Sequence, residues 1–479
     1  MRKYVVGTFA ILAAAVVWSG SSVQAEQAAA MAAPTFSKDV APILFANCTS
    51  CHRPTDIAPM SLLTYKDARP WAKSIAAKVA DGTMPPWHAD PKYGHWVGER
   101  RLTDVQKATI AKWVAAGAPE GNAADLPPAP SYTDGWNITP DAVLSMQEDY
   151  PIPATGEVPY QYLVVPANFA EDRYISDWEF RPGDRRAVHH MLLYLLAPKE
   201  VAEAQMKRQQ GMMLQRMFGA PPQAAAGAPA APRPVPPFEF ACCVQIPDGQ
   251  SGGRPLPKDQ QKDPGPNYRA RPVGMSQGMG GFSPGGSIRH FPEGMGMRIP
   301  AGYSLVFQMH YTTYGKATTD RSQIGLKFSK TPPKTMLNTL ALINASLSIP
   351  PGEANYTIDN TMTFNRDTAI YSLIPHTHLR GTGWHYEVTY PDGRKEVVLS
   401  VPKYDFNWQH EYVFATPLML PAGSKLYAKA WYDNSAKNKS NPDPTQRVTW
   451  GDQTWEEMMY TSITFYMPPA NAPTAAKNR

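Results

Sequence analysis

The sequence predicts a multidomain protein, a small all-α module followed by two tandem antiparallel β-sandwiches of the jelly-roll type. Three observations carry this. With 479 residues, 43% of them hydrophobic, the chain can fill two or three ordinary cores. Between residues 35 and 121 apolar residues recur at helical spacing, with recognisable caps and no strand signal. From about residue 154 short segments rich in β-branched and aromatic residues take over, each bounded by Pro, Gly, Asn or Asp.

In chain order, residues 1–25 combine Arg2 and Lys3, an apolar run from Tyr4 to Trp18 and the small-residue site Val23-Gln24-Ala25. That is the pattern of a secretory signal and places the product in the periplasm or outside the cell. No other run approaches the roughly 20 apolar residues that cross a bilayer, so no integral membrane segment is expected. The formal charge of +5 falls to +3 without Arg2 and Lys3, a balance that favours neither nucleic acid nor an acidic partner. The four cysteines lie in two close pairs, which excludes a disulfide-stapled scaffold.

An Ala-rich spacer to about Pro34 leads into the helical module. Ser37 precedes a helix with Val40, Ile43 and Leu44 on one face, and Trp71, Ile75 and Val79 mark a second. Thr103-Asp104-Val105-Gln106 opens the last helix as a capping box, and Gly117 closes it after Ile110, Trp113 and Val114. Residues 122–153 read as a Pro-rich linker. Strands are expected at Tyr160–Val165, Met191–Leu196, Tyr303–Tyr311, Ala369–Ile374, Trp384–Tyr390, Lys425–Tyr432 and Tyr460–Tyr466. They divide into sandwiches at 154–332 and 333–470, with the break near Ser329 to Met336. Residues 199–289 interrupt the first with a Met/Gln-rich stretch and an Ala/Pro run, and read as a partly disordered insertion, a surface excursion or a lid.

Cys48-Thr49-Ser50-Cys51-His52 is the C-x-x-C-H attachment motif: both thiols add to haem vinyls and the imidazole becomes the proximal iron ligand. The module is therefore read as a c-type cytochrome domain carrying one covalent haem c. Asp81-Gly82-Thr83-Met84-Pro85-Pro86-Trp87 resembles the Met-Pro loops of class I cytochromes c, which makes Met84 the distal ligand; Met60, His88 and His95 are the alternatives. A Met/His pair leaves no open position, so this domain carries electrons.

Five of the eleven histidines form three tight groups: His189-His190 before Met191-Leu192-Leu193, His310 in Gln308-Met309-His310-Tyr311, and His376-Thr377-His378. Side chains two apart on a strand share a face, so His376 and His378 can grip one metal. Adjacent residues point apart, so His189 and His190 share an ion only at a bulge or strand end.

With their flanking residues, these groups resemble the copper type II, ascorbate-dependent monooxygenases, the family of peptidylglycine α-hydroxylating and dopamine β-monooxygenases. The resemblance runs from about 155 to 470 in the family's order and includes Glu456-Glu457-Met458, similar to the family's acidic methionine segment. It implies that His189, His190 and His310 hold an electron-reservoir copper, while His376, His378 and Met458 form the catalytic copper site that meets dioxygen. Ile374 stands where the family's peptide-hydroxylating members carry a carboxylate-binding arginine, and Ser462 where they carry a tyrosine. A C-terminal glycine peptide is therefore not the expected substrate. The family's usual disulfides are missing too: Cys242 and Cys243 are the only other thiols, and a vicinal disulfide, pairing between chains, copper transfer or an ordinary loop pair all stay open.

The expected function is an exported two-copper monooxygenase that hydroxylates a C–H bond of a small organic substrate with dioxygen. Its electrons arrive through the fused haem, from a periplasmic donor, with the linker letting the cytochrome dock near His189, His190 or His310. The alternative is a non-catalytic electron-transfer or copper-binding protein. A blue-copper oxidase needs a cysteine ligand, and none lies beside the histidine groups.

Overall fold

The computed structural model describes residues 33–54, 56–132, 135–204, 207, 244–245, 267–283, 286 and 288–469. The expected signal segment, Cys242-Cys243 and most of the 199–289 insertion lie outside the described residues. The chain divides into two compact units: Met1–Pro54, Ala58–Pro85 and Arg100–Ser131 form one, and Thr55–Ile57, Pro86–Glu99 and Tyr132–Arg479 the other.

The described part of the first unit is helical. Thr35, not Ser37, caps its opening segment, accepting the Lys38 N–H at 3.4 Å; Ser37 is buried within that segment. The helix Ala41–Asn47 follows, with a proline in its first turn where no N–H is needed. Trp71 sits in the turn Arg69–Trp71 and is 44% exposed, so the next helix, Ala72–Ala80, buries Ala72, Ile75 and Val79 instead. Asp104–Ala115 begins with the expected capping box: the Gln106 N–H donates to Thr103 Oγ1 at 3.2 Å and the Thr103 N–H to Gln106 Oε1 at 2.8 Å. Gly117, with φ of 88°, takes the left-handed turn that ends the helix. Leu44, Ile75, Val79, Ile110 and Trp113 close around one core.

The second unit is built of β-sheet, and every segment expected to be a strand is one. Four strands, Gln161–Val165, Ser304–Tyr311, Val188–Leu196 and Met275–Phe282, pair in that order. They share a core with a second sheet containing Arg173–Arg181, Gln323–Phe328 and Met295–Ile299; Trp178, Phe180, Leu193, Phe307 and Ile324 fill it. Farther along, the sheet Asn338–Ile343, Tyr460–Tyr466, Thr368–His376, Tyr412–Leu420 encloses another core with Lys395–Val401, Gly381–Thr389, Lys425–Tyr432 and Tyr356–Phe364. Burial along Lys425–Tyr432 alternates with the period of two of a strand that packs one face.

Two segments take unexpected places. Within 122–153, Ala142–Ser145 pairs with Gln323–Phe328 and Tyr150–Ile152 with Thr318–Asp320, so the end of that Pro-rich stretch belongs to the sheets. Pro86–Glu99, inside the expected helical module, sends Trp87, Ala89 and Trp96 into the core of the later pair of sheets. The Asp90 N–H donates to the Ser400 carbonyl at 2.8 Å and the Val97 N–H to the Val413 carbonyl at 2.9 Å, tying the segment to both sheets of that pair.

Candidate metal centre and adjoining cavity

His310 and His190 face each other across antiparallel strands, and the register slips at the next pair, Tyr311 to Val188. His189 is the extra residue of that bulge, which turns it to the same side as His190. The ligand-capable atoms of His189, His190 and His310 lie within 4.8 Å of one another. Nδ1 of His310 and Nδ1 of His189 are 3.1 Å apart. Two imidazole nitrogens about 2.0 Å from one ion stand roughly 3 Å apart, so this spacing suits a shared cation.

His376 ends the strand Thr368–His376, and His378 lies beyond it, its ring 5.2 Å from that of His376. Gly381 permits the turn after His378, because a β-carbon there would collide with the Thr377 side chain. Nδ1 of His376 contacts Gln409 Oε1 at 2.5 Å, and Nδ1 of His378 contacts the Glu456 carbonyl at 3.1 Å. Each contact orients its ring and leaves Nε2 as the ligating nitrogen. The buried carboxylate of Glu457 accepts backbone N–H bonds from His378 at 2.8 Å, Arg380 at 2.6 Å and Met458 at 3.2 Å. It thereby ties the His-Thr-His segment to the methionine segment. Burial pushes the Glu457 carboxyl up to about 7, against the pull of those donors.

The two histidine groups adjoin. The rings of His190 and His376 are 6.4 Å apart. The Tyr160 ring stands between the groups, 5.5 Å from His190, 4.8 Å from His310 and 5.7 Å from His378. Phe406 touches both sides as well, 5.4 Å from His310 and 6.2 Å from His378. Burial lowers all five imidazoles, His189 and His376 to about 4, so all are neutral at pH 7 and able to ligate. Two buried nitrogens, His190 Nδ1 and His378 Nε2, have no hydrogen-bond partner among the described residues. Buried polar atoms without partners are costly, and a metal ion would satisfy both. The donor set, imidazoles with one thioether, fits copper in both of its oxidation states.

His376 and the nine-tenths buried Met458 line a cavity of about 460 Å³ whose walls come from both pairs of sheets. Ile374 and Ser462 are direct cross-strand partners, and Ser462 faces the cavity. Tyr460, paired with His376, supplies a phenol to the same wall.

The helical unit holds the other expected site. His52 and Cys51 donate their N–H groups to the Cys48 carbonyl at 2.9 and 3.1 Å, a tight turn that gathers the three motif residues. Cys48 and Cys51 are not joined in a disulfide. Burial raises Cys48 to about 12 and lowers His52. His52 Nδ1 lies 3.3 Å from the Met60 carbonyl, which leaves Nε2 for iron. Met84 donates its N–H to Lys78 at 2.9 Å; His88 and His95 belong to the second unit.

Tyr160, Phe406 and Gln409 escaped the sequence reading, since a lone aromatic or amide carries no motif. Glu457 stands out in the sequence only as part of the methionine segment. Its run of two acids before Met458 was the available signal.

No protein-family model matches the chain, and no curated protein matches it. Among solved structures it is similar to a crystal structure of allantoicase from Saccharomyces cerevisiae, at 9% identity over 59% of this chain and 80% of that one. The TM-score is 0.13, too low to carry an argument about fold or activity. No helix among the described residues is long and apolar enough to cross a membrane.

Proposed function

We propose that the protein is an exported copper monooxygenase that hydroxylates a C–H bond of a small organic substrate with dioxygen, its electrons passing through a covalently attached haem c. The carrying observation is the convergence of five neutral, buried imidazoles beside a cavity that also takes Met458. Residues 35–121 are read as the cytochrome domain and 154–332 and 333–470 as jelly-roll sandwiches of the copper type II monooxygenase kind.

Copper, when bound, would supply the one-electron chemistry and dioxygen activation that hydroxylation requires. His189, His190 and His310 would hold one ion and His376, His378 and Met458 the second. The thioether of Met458 favours the reduced metal, the state that meets dioxygen. Gln409 and the Glu456 carbonyl fix the two ring orientations, while Glu457 holds the backbone that carries His378 and Met458. The cavity wall beside His376 and Met458 would hold the substrate against the site.

For the haem, the Met60 carbonyl sits on the Nδ1 face of His52, away from the nitrogen that would bind iron. Met60 also packs its side chain against the helical core. Both points favour Met84 as the distal ligand.

Rapid mixing of the fully reduced, copper-loaded chain with dioxygen and a panel of small organic substrates tests the reading. Haem oxidation should track product, and a His52→Ala chain should hydroxylate only with an added small reductant. Product accumulating while the haem stays reduced would show that the cytochrome serves another partner.

A further inference from the structure

Three phenols that the proposed reaction does not use stand along the cavity wall. On the four-stranded sheet, Gln308 is the cross-strand partner of both Tyr162 and Leu192, and Val306 is that of Tyr194. With a period of two, Tyr162, Tyr194 and Gln308 therefore project from the same face as His190 and His310, opposite to the face on which Leu193 and Phe307 build the core. Tyr460 comes from the later pair of sheets; it is the cross-strand partner of His376, and its ring lies 5.9 Å from that imidazole. A side-chain hydrogen bond links Tyr460 to Tyr194, and all three phenols line the cavity with His376 and Met458.

Tyr162, at the far end of this row, has a proton acceptor already in place. Its hydroxyl donates to Asp452 Oδ2 at 3.2 Å and accepts from Gln308 Nε2 at 2.7 Å. A phenol that gives up an electron also gives up its proton, and a carboxylate already bonded to that proton can take it directly. Because Tyr162 is only 3% exposed, the acceptor in reach is Asp452 rather than bulk water. Among the described residues, neither Tyr194 nor Tyr460 has a carboxylate as a hydrogen-bond partner. An oxidising equivalent entering the row should therefore settle on Tyr162.

The need for such a row lies in the chemistry proposed for the site. A metal that activates dioxygen must also be kept from competing reactions. With no substrate in the cavity, peroxide reduced at the metal meets the ligands themselves, and a thioether is readily oxidised to its sulfoxide.

We infer that Tyr162 is a redox-active tyrosine that draws oxidising equivalents away from the metal centre through Tyr460 and Tyr194, and so protects Met458 and His376 when no substrate is bound. One hydrogen peroxide becomes two waters by taking one electron from reduced copper, one from Tyr162 and two protons from solvent. The Tyr162 O–H bond breaks, its proton joins the Asp452 carboxylate, and a neutral phenoxyl remains under the Gln308 N–H. A one-electron reductant of the thiol class entering the cavity restores the phenol, with the proton returned by Asp452. This rests on the proposed function for the identity of the metal.

The test mixes the reduced, copper-loaded full chain with excess hydrogen peroxide and no substrate, so that any electron held by a haem is consumed first. Freeze-quenched samples are read by electron paramagnetic resonance and the protein by mass spectrometry. A tyrosyl signal should appear and should fall at least ten-fold in Tyr162→Phe and at least three-fold in Asp452→Asn, which keeps the phenol and removes the acceptor. Oxidation of Met458 and His376 should rise at least three-fold in Tyr162→Phe. The metal-free chain, flash-oxidised by a photoexcited ruthenium complex, should retain a tyrosyl signal after the surface radicals decay, and Tyr162→Phe should lack it. That result without copper retention supports the redox-active tyrosine and contradicts the monooxygenase reading. Copper retention with no tyrosyl signal, with a signal that survives in Tyr162→Phe and vanishes in Tyr160→Phe, or with equal ligand oxidation in both chains overturns the inference and leaves the copper reading in place.

Discussion

Glu457 accepts three backbone N–H groups, from the segments that carry His378 and Met458, while fully buried. A glutamine there has one acceptor oxygen, so at least one donor is stranded. Glu457→Gln should destabilise the metal-free chain by about 1–3 kcal/mol, the cost of an unsatisfied buried group, and loosen copper at the Met458 site before the other. Denaturant unfolding and copper competition titrations measure the two effects. The imidazoles give a pH dependence. Their folded pKa values lie below the ordinary 6.5, with His189 and His376 at about 4. Above pH 6.5 both folded and unfolded forms are neutral; as the pH falls from 6.5 towards 4 the unfolded chain takes up protons that the folded chain refuses. Metal-free stability should therefore drop on acidification across that window, by up to about 1.4 kcal/mol per pH unit for each such histidine. Glu457, raised to about 7, runs the other way between 4.5 and 7, but it is one group against five. Urea midpoints at several pH values check this, and His376→Gln should flatten the slope. At the proposed haem site, Met84→Ala should abolish the sulfur-to-iron charge-transfer band expected of the oxidised protein; its persistence would move the ligand to Met60.

Elements whose residues repeat with a clear period were legible in the sequence, and those held by context were not. Lys425–Tyr432 and Ser304–Tyr311 announce themselves by branched and aromatic residues between turn signals, and the helix Asp104–Ala115 by its capping box. Of the two arrangements expected to let His189 and His190 share an ion, a bulge or a strand end, the strands show the bulge. Pro86–Glu99 has no period, only Trp, Pro and Gly, so proximity to the helices was the sole guide and it misled. Its tryptophans are 7% exposed in a β core, and Trp96 packs 4.6 Å from Phe414. Trp96→Ala should cost about 3–5 kcal/mol, as cavities left by large aromatics do, and should lower the unfolding transition of the second unit. Calorimetry of the full chain resolves that transition, and an unshifted one would mean that the segment is a loose tether.

On the scale of the whole molecule, one chain couples a helical unit bearing the C-x-x-C-H turn to a larger β unit bearing the histidine groups. The histidine groups were readable because their members stand at short spacings in the sequence. The closeness of the two groups was not, since it depends on how Tyr160, Phe406 and strands more than a hundred residues apart converge. The proposed function requires those imidazoles and Met458 to hold two copper ions. Metal analysis combined with X-ray absorption of the reduced protein tests this most directly. The prediction is two coppers per chain, falling to one in His310→Ala, with a sulfur scatterer that disappears in Met458→Ala. A single metal site shared by all five histidines, zinc in place of copper, or a reduced spectrum without sulfur would contradict it.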